Sequence, residues 1–180
     1  TWIVDYNRQN IDGTRIPNNR GLQGTDADRI EGTAIANGWE VIQLRHGKFR
    51  ESVFAKKGGD ALRKVIEDGL TDYHYQALLW KRDANLMREA IIAKDKSTKK
   101  LLDSLGDDDV IKLYFDTGGH DYEAIVEAFE ASKVNKLRPT LIVAHTIKGR
   151  GLECVAANGN HSAMPSEKEV VAILQEHGLS

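Results

Sequence analysis

The chain is short of cysteine, of excess basic charge and of long apolar runs, and each shortage narrows what it can be. A single cysteine, Cys154, excludes an internal disulfide and fits a reducing, cytoplasmic setting. Lys and Arg number 25 against 27 Asp and Glu, leaving a net charge of -2, and the cations are spread among the acids. That balance argues against a nucleic-acid or anionic-membrane partner, which would show as a basic excess or a clustered basic face. No apolar stretch approaches the roughly 18 to 20 residues that span a bilayer, and nothing resembling a signal peptide opens the sequence, so a soluble protein is expected. The sequence also lacks a Walker-type phosphate loop, zinc-ligand spacing, a calcium loop, a nucleophile elbow, an internal repeat and any low-complexity tract.

What is present suffices for one globular body. With 180 residues, 41% of them hydrophobic and 29% charged, the chain can bury a core without disulfides or metals. It starts at Thr1, and a strand pattern, Trp2-Ile3-Val4, begins at once, so residues 1–180 are expected to be part of one domain of a longer polypeptide. The polar run Asp5 to Asn10 and the turn-forming Asp12-Gly13 close that strand, and Thr14 to Thr25 reads as an irregular loop. A helix is predicted over Asp26 to Ala36 with Asn37-Gly38 as its C-cap, then a strand over Trp39 to Leu44. Helical stripes follow at Ala61, Leu62, Val65 and Ile66, and at Leu78, Leu79, Leu86 and Met87. Gly58-Gly59-Asp60 and Gly106-Asp107-Asp108-Asp109 read as helix entrances. Further on, Asp121 caps a helix bearing Ile125, Val126 and Phe129, and Thr140 to Ala144 has the continuous apolar character of a strand covered on both faces. Ser166 and Glu169 stand at capping-box spacing before a last helix that Gly178 can terminate. Helix followed by buried strand implies an α/β fold with a parallel sheet flanked by helices, whose ligands gather outside the carboxyl ends of the strands.

Two segments occupy such ends. In the first, Asn7 offers a hard neutral oxygen and Gln9 a backbone carbonyl two residues on, donors that suit magnesium; an Asn after a strand is also an ordinary turn residue. In the second, Ile147-Lys148-Gly149-Arg150-Gly151 sets two cations among exposed amides, as an anion site or a solvated turn would. His161, in the polar loop Asn158 to Ser162, could touch phosphate, move a proton near neutral pH, or simply be an exposed histidine. His120, just before Asp121, reads as part of a helix start.

Taken in order, these segments resemble the thiamine-diphosphate enzymes of the transketolase and homodimeric pyruvate dehydrogenase type. The run Val4 to Gly13 resembles the end of their thiamine motif, and Gly38-Trp39-Glu40-Val41-Ile42 resembles the strand that follows it. Gly118-Gly119-His120-Asp121 resembles the turn before the crossover helix. Ala144-His145-Thr146-Ile147-Lys148-Gly149-Arg150-Gly151 is most like the decarboxylating dehydrogenases, since transketolases usually lack that Lys, and Tyr75-Gln76 with Leu86-Met87-Arg88-Glu89 points the same way. The resemblance implies thiamine diphosphate and magnesium as cofactors, with Asn7 and Gln9 on the metal and the cofactor diphosphate. It also implies Lys148 near cofactor or substrate and His161 in acyl transfer. The implied activity is decarboxylation of pyruvate with reductive acetylation of a lipoyl group, by a homodimer whose partner is the lipoyl-bearing dihydrolipoamide acetyltransferase. Departures temper this. The Gly-Asp-Gly that opens the motif and carries the carboxylate ligand would precede Thr1, and the Glu that activates the aminopyrimidine belongs to another domain. The loop from Gly151 to His161 is shorter than in the dehydrogenases, and Ser162-Ala163-Met164-Pro165 partly resembles a transketolase run. The isolated chain is therefore expected to be inactive. Transketolase-type two-carbon transfer and a catalytically silent fragment of the same fold are the alternatives.

Overall fold

A computed structural model describes residues 1–10, 13–14, 26–176 and 178–179. Apart from Gly13 and Thr14, the expected Asp12-Gly13 turn and the expected loop to Thr25 fall outside the described residues.

Three strands form a parallel sheet: β1 (Trp2–Tyr6), β4 (Glu40–Leu44) and, between them, β5 (Thr140–His145). The register pairs Trp2 with Leu141 on one side and Glu40 with Thr140 on the other, so the carboxyl ends of all three strands lie together. Alternation then sorts the side chains between two faces. Val4, Tyr6, Val41, Leu141 and Val143 pack against α1 (Asp26–Ala36), whereas Ile42, Leu44 and Ile142 pack against α8 (Tyr122–Ser132). This is the α/β arrangement the sequence implies, with a short antiparallel pair, β2 (Gln9–Asn10) and β3 (Gly13–Thr14), just past β1.

Local chemistry ends these elements where the residues say it should. At the end of α1, Gly38 takes φ 81° and donates its N–H to Ile35, while Trp39 N–H reaches back to Ala34, the paired bonds of a Schellman cap. Asp121 accepts from the N–H groups of Glu123 and Ala124 and starts α8. Gly58 and Gly106, rather than the adjacent aspartates, stand at the N-caps of α3 (Gly59–Lys64) and α7 (Asp107–Phe115), and the aspartates lie in the first turns, where the helix dipole favours them.

Between β4 and α8 runs a helical block: α2 (Lys48–Phe54), α3, α4 (Asp72–Lys81), α5 (Ala84–Lys94), α6 (Lys99–Asp103) and α7. Its core holds Leu62, Val65, Ile66, Leu78, Leu79 and Met87, as their helical spacing predicts, together with Ile147 and Val155 from beyond β5. Two expected core residues behave otherwise: Leu86 is exposed and Ala61 is half-buried. The stripe from Ala61 to Ile66 is also not one α-helix, because α3 passes at Val65 into a π-helical turn, Val65–Gly69. Among the described residues, no helix is long and apolar enough to cross a membrane.

Candidate functional site at the carboxyl ends of the strands

Past Tyr6 the chain turns sharply. Asn7 Oδ1 accepts the N–H of Gln9 at 2.9 Å, and Arg8 between them has φ 63°, in the left-handed region that non-glycine residues rarely occupy. Next to this turn lies the segment that leaves the central strand, since Thr146 N–H donates to the Tyr6 carbonyl and extends the ladder by one bond.

Four residues singled out from sequence meet here. Gln9 and Asn160 exchange hydrogen bonds through both amides, Nε2 to Oδ1 at 3.2 Å and Nδ2 to Oε1 at 3.1 Å. Gln9 Nε2 also donates to the Ala157 carbonyl, and Asn160 Nδ2 reaches the carbonyls of Lys148 and Cys154. One residue on, His161 takes a hydrogen bond from Lys148 Nζ at 3.1 Å. An ammonium can only donate, so Nδ1 is the acceptor and the ring proton sits on Nε2. Asn7, Gln9, Lys148 and His161 thus stand on two adjoining loops joined by the Gln9–Asn160 amide pair. His161 is exposed and Lys148 partly so, whereas Asn160 is buried.

A second layer lies beneath these loops. Arg8 turns inward, pairs with Asp72 (Nε to Oδ1, 3.3 Å), donates from Nη2 to His145 Nδ1 at 3.1 Å, and stands over the rings of Tyr6 and Tyr75. With a guanidinium donating into Nδ1, the other nitrogen of His145 carries the proton and gives it to Gln43 Oε1 at 2.9 Å; Gln43 in turn donates to Glu31 on α1. His46, after β4, repeats the pattern: Arg50 Nη1 donates to Nδ1 at 3.1 Å, and Nε2 meets Glu67 Oε1 at 2.7 Å. Burial and the surrounding guanidinium groups keep both imidazoles neutral, lowering His145 to about 2 and His46 to about 3. Tyr6 donates to Asp72 Oδ2 at 2.6 Å, and its phenol is pushed up by burial and by that carboxylate. Arg8, Arg45, Arg50, His46, His145 and Asp72 line a polar cavity of about 30 Å³.

The turn Gly118–His120 closes the site from the α8 side. A Cβ on Gly118 would come within 2.7 Å of the Leu44 carbonyl carbon, and one on Gly119 within 2.6 Å of the His145 carbonyl oxygen, so only glycines let this turn lie against the strand ends. His120 does more than start a helix, because its Nε2 accepts the N–H of Ile147 at 2.8 Å and pins the loop that carries Lys148.

The donors suit a particular form of magnesium. Asn7 and Gln9 supply neutral hard oxygens, and the described residues hold no group of three or more His, Cys, Asp or Glu able to take a metal ion. Magnesium keeps waters and is commonly shared between a few protein oxygens and substrate phosphates. The donor set therefore fits an ion already carried on a diphosphate, with Lys148 as a nearby cation, and falls short of holding bare magnesium. Sequence reasoning missed Arg8, Asn160, His145 and Asp72. Asn160 was within reach, since it adjoins His161 in a flagged loop; the roles of the others rest on contacts made only in the folded chain.

Residues 94–180 match the family described as "Transketolase, thiamine diphosphate binding domain". The "Pyruvate dehydrogenase E1 component" of Corynebacterium glutamicum is 32% identical over 152 residues, covering 84% of this chain and 16% of that protein. Proteins of the same name from Mycobacterium tuberculosis (30% over 156 residues; 84% of this chain, 15% of theirs) and Escherichia coli K12 (29% over 159; 88% and 17%) are similar to it as well. The chain spans about a sixth of the length of these relatives. With its parallel sheet, its loops gathered at the strand ends and these matches, the chain has the thiamine-diphosphate-binding fold of the transketolase type and is similar to the pyruvate dehydrogenase E1 components.

Proposed function

We propose that this chain is the part of a pyruvate dehydrogenase E1-type enzyme that holds the diphosphate end of thiamine diphosphate through magnesium. The observation that carries the reading is the junction of Asn7 and Gln9 with the Lys148–His161 loop through the Gln9–Asn160 amide pair. Asn7 Oδ1 and the Gln9 carbonyl are the metal ligands, and Lys148 balances negative charge beside the cofactor or substrate. What the cofactor supplies when bound is a ring that serves as electron sink for decarboxylation of a 2-oxo acid, pyruvate in this reading. His161, exposed and held by Lys148 in one tautomer, offers an Nε2–H to an incoming acceptor and assists acyl transfer.

In the intact enzyme the acetyl unit passes reductively to a lipoyl group on dihydrolipoamide acetyltransferase, within a cytoplasmic homodimer. Titration calorimetry tests the binding claim directly. Heat is expected when magnesium and thiamine diphosphate are added together, and none with magnesium alone. Asn7→Ala should weaken the joint binding at least tenfold. Joint binding that is absent, or indifferent to Asn7→Ala, overturns the assignment.

A further inference from the structure

Three consecutive residues divide their labour after β1. Asn7 and Gln9 belong to the outer layer, where the Gln9 N–H donates to Asn7 Oδ1 and the Gln9 side chain bonds to the loop after β5. Arg8 goes the other way: its side chain is only 11% exposed, and its guanidinium meets three separate parts of the fold. Nε pairs with Asp72 on α4, Nη2 donates to His145 at the end of the central strand, and Cζ stands 5.3 Å from the ring centroid of Tyr6 of β1 and 4.8 Å from that of Tyr75 of α4. A planar fork can satisfy these directions at once, whereas an ammonium is a point charge and cannot. The backbone of Arg8 meanwhile adopts φ 63°, a conformation shared among the described non-glycine residues only by Arg82 and Ala156. A non-glycine residue stays in that region when its surroundings over-determine it, and here the surroundings act through the side chain.

We propose that Arg8 is a positioning residue: its buried guanidinium, tied to Asp72 and His145, holds the left-handed turn that sets Asn7 Oδ1 against the Gln9 backbone for a diphosphate-carried magnesium ion. This rests on the reading of Asn7 and Gln9 as metal ligands, and it names the group that gives them a fixed geometry. Affinity for the ion then depends on a residue that does not touch it. Without the anchor, ordering the turn is left to the ligand, which lowers the apparent affinity.

Amide hydrogen exchange of the 180-residue chain, read by NMR without cofactor, tests the anchor. The Gln9 amide, bonded to Asn7 Oδ1, should exchange at least tenfold faster in Arg8→Ala, while the Ile91 amide in α5 stays as protected as before. Asp72→Asn, which removes the charge but keeps an acceptor for Tyr6, should speed Gln9 at least threefold and decides the matter should Arg8→Ala not fold. An unchanged Gln9 amide in either folded variant overturns the proposal. Calorimetry with magnesium and thiamine diphosphate gives the second arm: at least tenfold weaker binding for Arg8→Ala, with Arg8→Lys in between. Wild-type affinity in a variant whose Gln9 amide has loosened overturns the positioning role. A wild-type chain that binds no thiamine diphosphate with magnesium defeats the Asn7–Gln9 reading instead, and the exchange data still decide whether Arg8 holds the turn.

Discussion

At His145 and His46 an imidazole sits among guanidinium groups with little access to water, and the consequence is measurable in stability. Both are held near 2 and 3, against 6.5 for a free imidazole. Below about pH 6.5 the unfolded chain therefore takes up protons that the folded one refuses, so stability is full above that pH and falls as pH drops towards 3. Each ring contributes about 1.4 kcal/mol per pH unit at most within the window. Urea midpoints at pH 7.5 and pH 5 should differ accordingly, and equal midpoints would show that the rings are not held neutral. Asn160 makes a different prediction. Replacing it with Ala leaves the Gln9 amide and two carbonyls short of a partner, at a cost of roughly 1 to 3 kcal/mol in the same assay. Gly118→Ala should cost a comparable ~1 to 3 kcal/mol through the close approach to Leu44, unless the turn retreats from the strand ends.

The elements differ in how openly the sequence declares them. The helix over Asp26–Ala36 was legible to the residue because its stop is local, a glycine able to take positive φ. The central strand was legible because residues buried on both faces leave an unbroken apolar run. The strand-end site was half legible: Asn7, Gln9, Lys148 and His161 stand out by type and place, yet Arg8 reads as one more surface cation until Asp72, 64 positions away in number, folds against it. The helical block was legible in its core and less so in its continuity, since nothing in the spacing of Ala61, Leu62, Val65 and Ile66 announces the change to a π turn. The last helix, α9 (Glu167–Glu176), shows how a motif can be split. Ser166 Oγ caps the Glu169 N–H as its spacing implies, but the Glu169 carboxylate, instead of reaching back, accepts the N–H of Glu153 at 2.5 Å. Helix and loop are thus docked through one side chain. Among caps, Asp121 matters most, because it serves two N–H groups of α8 and that of Lys48 as well. Asp121→Ala should cost about 1 to 2 kcal/mol, read as a lowered melting temperature; no change would mean that water replaces it without loss.

On the scale of the whole molecule, β1 is an edge of the sheet among the described residues, and its Trp2 and Ile3 are 68% and 56% exposed on opposite faces. Exposed apolar edge strands pair readily with other chains. The chain on its own is expected to associate as its concentration rises, and Ile3→Lys should suppress this in sedimentation velocity; association indifferent to that change would place the contact elsewhere. The strand order carries a further consequence, for the timing of folding during synthesis. The strand in the middle of the sheet is the last to be made, so among the described residues β1 and β4 gain their shared partner only when residues 140–145 emerge. Gln9 precedes its amide partner Asn160 by 151 positions, and at about 5–20 residues per second the ribosome needs roughly 8 to 30 s to deliver the second after the first. During that interval the helical block can assemble from neighbouring segments, while the first strand waits with its apolar side chains uncovered, dependent on chaperones or on the nascent chain's own helices for cover. The loops that Gln9 and Asn160 join then take shape late, so a pause or premature stop before β5 would release a helical body without the candidate site.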